Sequence, residues 1–155
     1  MMEDKDKKEE NLYKKTDGVL FNYKSIKAEI FNLGIEIEEL QEEYDGVKGM
    51  TYEEKTGSTN AFNSSTENEI MKKEKEITRL LKEKRSKERL LSKIDNALES
   101  LEEEEREIIR LRCFERKSWN KVGMITNRDG DYCGKIKRAA VNKLSELVWV
   151  RKKYT

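Results

Sequence analysis

Between Ala97 and Leu147, three apolar runs at helical spacing are separated by two short stretches of turn chemistry, and this succession constrains the chain more than any other feature. In the first run Leu101, Ile108, Leu111 and Phe114, with Ile109 and Cys113 beside them, fall on one face of a helix. Ser100 with Glu103 has the form of a capping box at its start. Glu115 to Lys117 breaks the period, and Ser118 suits the N-cap of a second, short helix that has Trp119, Val122 and Met124 to bury. Gly123 lacks a side chain and leaves room for a close neighbour. Asn127, Arg128, Asp129 and Gly130 read as a turn. The third run sets Cys133, Ile136, Ala140, Leu144 and Leu147 on one face, with Lys135, Lys137, Arg138 and Lys143 elsewhere. A short helix, a tight turn and a longer basic helix is the arrangement a major-groove reader needs.

Upstream, Tyr23, Ile26, Ile30, Leu33, Ile37, Leu40 and Tyr44 alternate at spacings of three and four, a heptad seam that would make a rod of about 32 Å. Gly34 sits inside it at a cost of about 1 kcal/mol relative to Ala. A second long helix is marked by Ile70, Ile77, Leu80, Leu81, Leu90, Leu91, Ile94, Leu98 and Leu101, with Ser64 and Glu67, or Thr66 and Glu69, as its capping box. Its seam is interrupted by polar residues from Lys82 to Glu88, and lysines at seam positions such as Lys84 and Lys87 lower stability while fixing register. An antiparallel hairpin within one chain and a helical dimer satisfy this pattern equally. Asp45 to Ser65 carries Gly46, Gly49, Gly57, Ser58, Thr59, Asn60, Asn63 and Ser64, and reads as a loop. Its glycines do not have phosphate-loop spacing, and no buried strand precedes them. The expectation is therefore an all-α chain: a flexible N-terminus over 1–18, a helical arm (long hairpin or coiled coil) over 19–96 with a Gly/Ser/Asn-rich loop at about 45–65, and a three-helix helix-turn-helix domain over 97–155.

Composition narrows the function. Charged residues make up 42% of the 155 and hydrophobic ones 35%, too few for a large globular core, and no proline interrupts a long helix. The net charge of +1 is unevenly spread: from Ser118 onward nine Lys and Arg face three Asp and Glu, giving +6 and leaving −5 for the rest. That asymmetry suits a basic nucleic-acid face on an acidic arm. Cys113 and Cys133 both fall on apolar helix faces, as small hydrophobes do in a reducing cytosol. With no CxxC motif and no histidine, a structural zinc site is not expected, nor any other cofactor. No cysteine or serine has a visible base, and the Glu pairs between Glu102 and Glu105 sit at helix-surface spacing, so catalysis is not expected either. No apolar run is long enough to cross a membrane, and Met1 to Glu10 is charged and unlike a signal peptide; a cytoplasmic protein is expected.

Two resemblances rest on these residues. The run Ala-Leu-x-x-Leu at Ala97–Leu101, Glu-Arg-Glu-Ile-Ile-Arg-Leu-Arg-x-Phe at Glu105–Phe114 and Ser-Trp-x-x-Val-Gly at Ser118–Gly123 resembles region 4 of bacterial sigma factors, the part that reads the −35 promoter element. Where that family presents Ser or Thr, Arg and Glu at the start of the recognition helix, this chain has Asp129, Gly130, Asp131 and Tyr132. The whole layout of helical arm, Gly-rich loop, the helix start Ser64-Ser65-Thr66-Glu67-Asn68 and terminal sigma-like unit resembles the RinA/ArpU-type transcription regulators of phages and prophages. That resemblance implies a bacterial host and a DNA-binding regulator of late genes with no enzyme activity.

The candidate DNA-binding residues are Tyr132, Lys135, Lys137 and Arg138 on the recognition helix, with Lys121 and Arg128 at phosphates. Trp119 is assigned to the core. A second expectation keeps the fold and changes the partner: the acids Asp129 and Asp131 suit a module that binds RNA polymerase or a sigma factor with little DNA contact. A third is a small terminase-like packaging protein, whose ring assembly a mass in solution would reveal. A homo-oligomer through the arm is compatible with all three.

Overall fold

The computed structural model describes residues 2–53 and 60–154. The described chain is all-α, with no strand among these residues. Its helices are α1 (Met2–Phe21), α2 (Tyr23–Glu53), α3 (Asn60–Glu99), α4 (Glu103–Ile109), α5 (Trp119–Thr126) and α6 (Gly130–Val148). A π-helical stretch, Arg110–Phe114, continues α4, and a 3-10 turn, Val150–Lys153, follows α6. The chain forms two compact units, one from residues 1–27 and 89–155, the other from residues 28–88.

In the first unit the apolar runs read from the sequence converge on one core. Leu20, Ile94, Ala97, Leu101, Ile109, Cys113, Ala140, Val141, Leu144 and Val148 are buried together. Burial of each Leu, Ile or Val contributes about 1.5–3 kcal/mol. A smaller cluster of Ile108, Leu111, Val122 and Cys133, with Trp119 and Ile136 packed against it, joins α4 and its π continuation to α5 and α6. Trp119 thus packs at the core as expected, and the Arg112 guanidinium lies 4.7 Å above its ring.

The N-terminal segment departs from the expectation of a flexible 1–18. Leu12, Tyr13, Thr16, Val19 and Leu20 recur on one helical face, and α1 lays that face on α6. Thr16 is fully buried: its Oγ1 lies 2.8 Å from Ser145 Oγ and accepts from Trp149 Nε1 at 2.9 Å. The buried hydroxyls are satisfied among themselves and by the Leu12 and Val141 carbonyls, so the polar face adds no unpaired group. The chain between α3 and α4 also differs in detail. Ser100 caps nothing ahead of it; its Oγ donates to Ala97 O at 2.6 Å, at the end of α3. The capping box belongs instead to Glu102 and Glu105, the latter accepting from Glu102 N at 3.2 Å.

The second unit is an antiparallel hairpin of α2 and α3 within one chain. Lys87 pairs with Glu29 at 3.0 Å, Lys73 with Glu43 at 3.0 Å, and Tyr44 OH donates to Glu74 at 2.7 Å. Lys84 and Lys87 do occupy the seam, half-buried, and Gly34 leaves the space across which Lys84 lies: a Cβ there would stand 3.5 Å from Lys84 Nζ. The expected 45–65 loop is mostly helix. α2 runs on through Gly46 and Gly49 to Glu53, and α3 begins at Asn60, ahead of both expected capping boxes. Cross-helix pairing at Glu43 and Tyr44 and the half-buried Val47 carry the seam as far as the glycines, whose propensity cost is about 1 kcal/mol each. Gly57, Ser58 and Thr59 lie outside the described residues.

Candidate nucleic-acid interface

The unit formed by α5, its turn and α6 is fixed by capping and by one close backbone approach. Ser118 caps α5 by accepting from Lys121 N at 3.3 Å. Asn127 closes α5 in the left-handed region, with φ 54° and ψ 42°, a conformation Asn tolerates at helix ends. Arg128 N then donates back to Gly123 O at 3.0 Å. This folds the turn so tightly that a Cβ on Gly123 would stand 2.8 Å from Arg128 O. Asp129, extended at φ −65° and ψ 141°, is the N-cap of α6. Behind the turn, Val122 and Cys133 are buried against Ile108 and Leu111, which sets the crossing of the two helices.

Five of the six expected site residues are exposed around this unit. Lys121 on α5 and Lys135 on α6 are exposed, and neither has an ion-pair partner among the described residues. Arg128 is exposed in the turn, held 3.3 Å from Glu104 and 5.2 Å over the Tyr132 ring. Tyr132 is 40% exposed, and Arg138 is exposed with its guanidinium 5.6 Å over the Tyr13 ring.

Lys137 is the correction. It lies four residues after Cys133 and four before Val141, on the inward edge of α6, and its side chain is only 12% exposed. Its Nζ stands 2.7 Å from Asp17 of α1 and 5.2 Å over the Phe21 ring. It ties α1 to α6 and is not part of the outward face. Lys143 is likewise occupied, donating to the buried Glu105 at 2.9 Å.

One outward residue was missed from sequence. Asp131, Lys135, Arg138 and Asn142 recur at spacings of four, three and four, and all are exposed, so Asn142 extends the outer stripe by a turn. The same periodicity that marked the buried face would have found it. Asp129 and Asp131 suit the positive end of the helix dipole but oppose phosphate. Lys121, Arg128, Lys135 and Arg138 are exposed on the same unit and carry the opposite charge.

Both cysteines are free and buried. Burial pushes Cys113 up to about 12, against the weaker pull of Lys137, so it stays protonated. Tyr23 is pushed up to about 12 by burial and by its 2.6 Å hydrogen bond to Asp95. Among the described residues no group of three or more metal-ligating side chains is clustered, and no helix is long and apolar enough to cross a membrane.

A family described as protein of unknown function (DUF722) matches residues 12–146. The chain belongs to that family. The DUF722 match begins at Leu12, where the buried face of α1 begins, and ends at Glu146 near the close of α6. The second half of α1, which carries its buried face, is therefore part of the DUF722 pattern. No curated protein and no solved structure matches the chain.

Proposed function

We propose that this chain is a cytoplasmic DNA-binding transcriptional regulator of phage or prophage origin, of the RinA/ArpU type, that controls late genes through a sigma region 4-like helix-turn-helix. The observation that carries the reading is the outward stripe of α6 (Tyr132, Lys135, Arg138 and Asn142) flanked by exposed cations on α5 and the turn. Lys121 and Arg128 neutralise phosphates and set the register. Lys135 and Arg138 meet guanine edges, Asn142 an adenine edge, and Tyr132 donates or stacks. No step of this role is catalytic. The test is selection of bound duplexes from random sequence at moderate salt. The expected result is a defined site, with affinity falling at a log–log slope of about −2 for the two phosphate contacts. A flat salt response with no enriched sequence would end the reading.

A second reading is favoured by the two exposed apolar side chains at the end of α5, Met124 and Ile125, together with the exposed acids Asp129 and Asp131 that follow in the turn and at the start of α6. Exposed apolar side chains and exposed carboxylates suit a protein partner such as RNA polymerase better than a phosphate backbone. Capture of polymerase that survives nuclease treatment, lost on Met124→Asp but kept on Lys135→Ala, would favour it.

A further inference from the structure

The side of α2 turned away from α3 carries a feature that the hairpin does not use. Phe31 is 71% exposed and Ile35 is 41% exposed, four residues apart and therefore adjacent on one helix surface. The seam residues Ile30, Leu33, Ile37 and Leu40 lie on the opposite side. Along the single helix α2 the charges on this outer side are sorted. Lys24 and Lys27 precede the apolar pair, Glu38 and Glu42 follow it, and all four are exposed. None of the four has a hydrogen bond or ion pair among the described residues, whereas Glu29 and Glu43, on the seam's flanks, are both taken by lysines of α3.

We propose that this surface is the self-association face of the chain and that its occupant is a second copy of α2, antiparallel and related by a two-fold axis passing between residues 31 and 35. In that register Phe31 meets Ile35 of the second copy, Lys27 meets Glu38, and Lys24 meets Glu42, and the two-fold axis makes each pair twice. A parallel pairing sets Lys24 against Lys24 and Glu38 against Glu38, which like-charge repulsion disfavours. The charge order along the helix thus selects both the partner and its direction. A central aromatic with a rim of complementary charge is the composition of a small homotypic interface. The proposal is independent of DNA binding, and its test is run without DNA.

Sedimentation equilibrium of the full chain is expected to give a mass that rises with concentration to twice the 18.3 kDa of one chain. Phe31→Asp, a substitution at an exposed position, should raise the dimer dissociation constant about thirtyfold or more with helix content unchanged. Lys27→Glu and Glu38→Lys should each weaken the dimer by about two- to fivefold, and the double swap Lys27→Glu with Glu38→Lys should return it to the native value. A monomer at the highest soluble concentration, a dimer or ring indifferent to Phe31→Asp, or a double swap weaker than both single changes would overturn the assignment.

Discussion

At position 123 one carbon atom decides how the turn is built. A methyl group there would stand 2.8 Å from the Arg128 carbonyl oxygen, a backbone atom that moves only if the turn opens. Gly123→Ala should therefore destabilise the chain by about 1–3 kcal/mol, although Ala is the better helix former. Chemical denaturation reads the change directly. The two lysines of α6 make a paired test of orientation. Lys137→Ala removes a largely buried partner from Asp17 and should cost about 1–3 kcal/mol while leaving the salt slope of DNA binding unchanged. Lys135→Ala, at an exposed position, should have little effect on stability and relax discrimination at the guanine it meets by about 1–3 kcal/mol. Cys113 sets a pH dependence. Its pKa is raised from 9.0 to about 12 in the folded chain, so folding favours the protonated thiol. That stability is complete below pH 9 and is lost as pH rises from 9 towards 12. Tyr23, raised from 10.0 to about 12, adds the same sign over the upper part of that range. The denaturation midpoint should fall above pH 9, and Cys113→Ala, though less stable overall, should show a flatter profile between pH 9 and 10.

At the scale of elements, what was legible in the sequence was whatever a local rule specifies. The end of α5 could be read because Gly123, Asn127 and Gly130 answer to backbone geometry, and Ser118 caps because its hydroxyl has a free amide three residues on. The outward positions of Lys121, Arg128, Tyr132, Lys135 and Arg138 followed from the same period. Two elements were not legible, for different reasons. The second half of α2 contains Gly46 and Gly49, which read locally as turn residues, while the pairs that Glu43 and Tyr44 make with α3 are long-range and invisible to a local rule. α1 is mostly charge, and half of its buried face is Thr16, a residue that becomes core-compatible only when Ser145 and Trp149 arrive from more than a hundred residues away. Lys137 was misplaced for the same reason, since nothing in α6 announces that Asp17 will cover it. The docking of α1 has a sharp consequence. Leu20 is fully buried in the main cluster, so Leu20→Ala should cost about 2–5 kcal/mol in denaturant unfolding. A frayed terminus would show a change near zero.

At the scale of the molecule, the distribution of buried apolar side chains predicts two levels of stability. Of the sixteen buried hydrophobic residues among those described, fifteen belong to the first unit, and only Ile77 belongs to the hairpin. The remaining seam residues of the hairpin are half-buried, and two of its contacts across the seam are made by lysines whose pairs with glutamate are exposed on at least one side. Exposed ion pairs contribute up to about 1 kcal/mol each, so they cannot replace a core. The hairpin should accordingly open without the first unit unfolding, as a separate cooperative step. Native-state hydrogen exchange separates the two levels. Amides over 30–44 and 70–87 should exchange through an opening of lower free energy than those of Ile108, Val141 and Leu144. The gap should narrow as protein concentration rises if two copies of α2 cover each other, because mass action then stabilises the hairpin and not the first unit. A single free energy for all these amides, unchanged by concentration, would mean that the chain unfolds as one body.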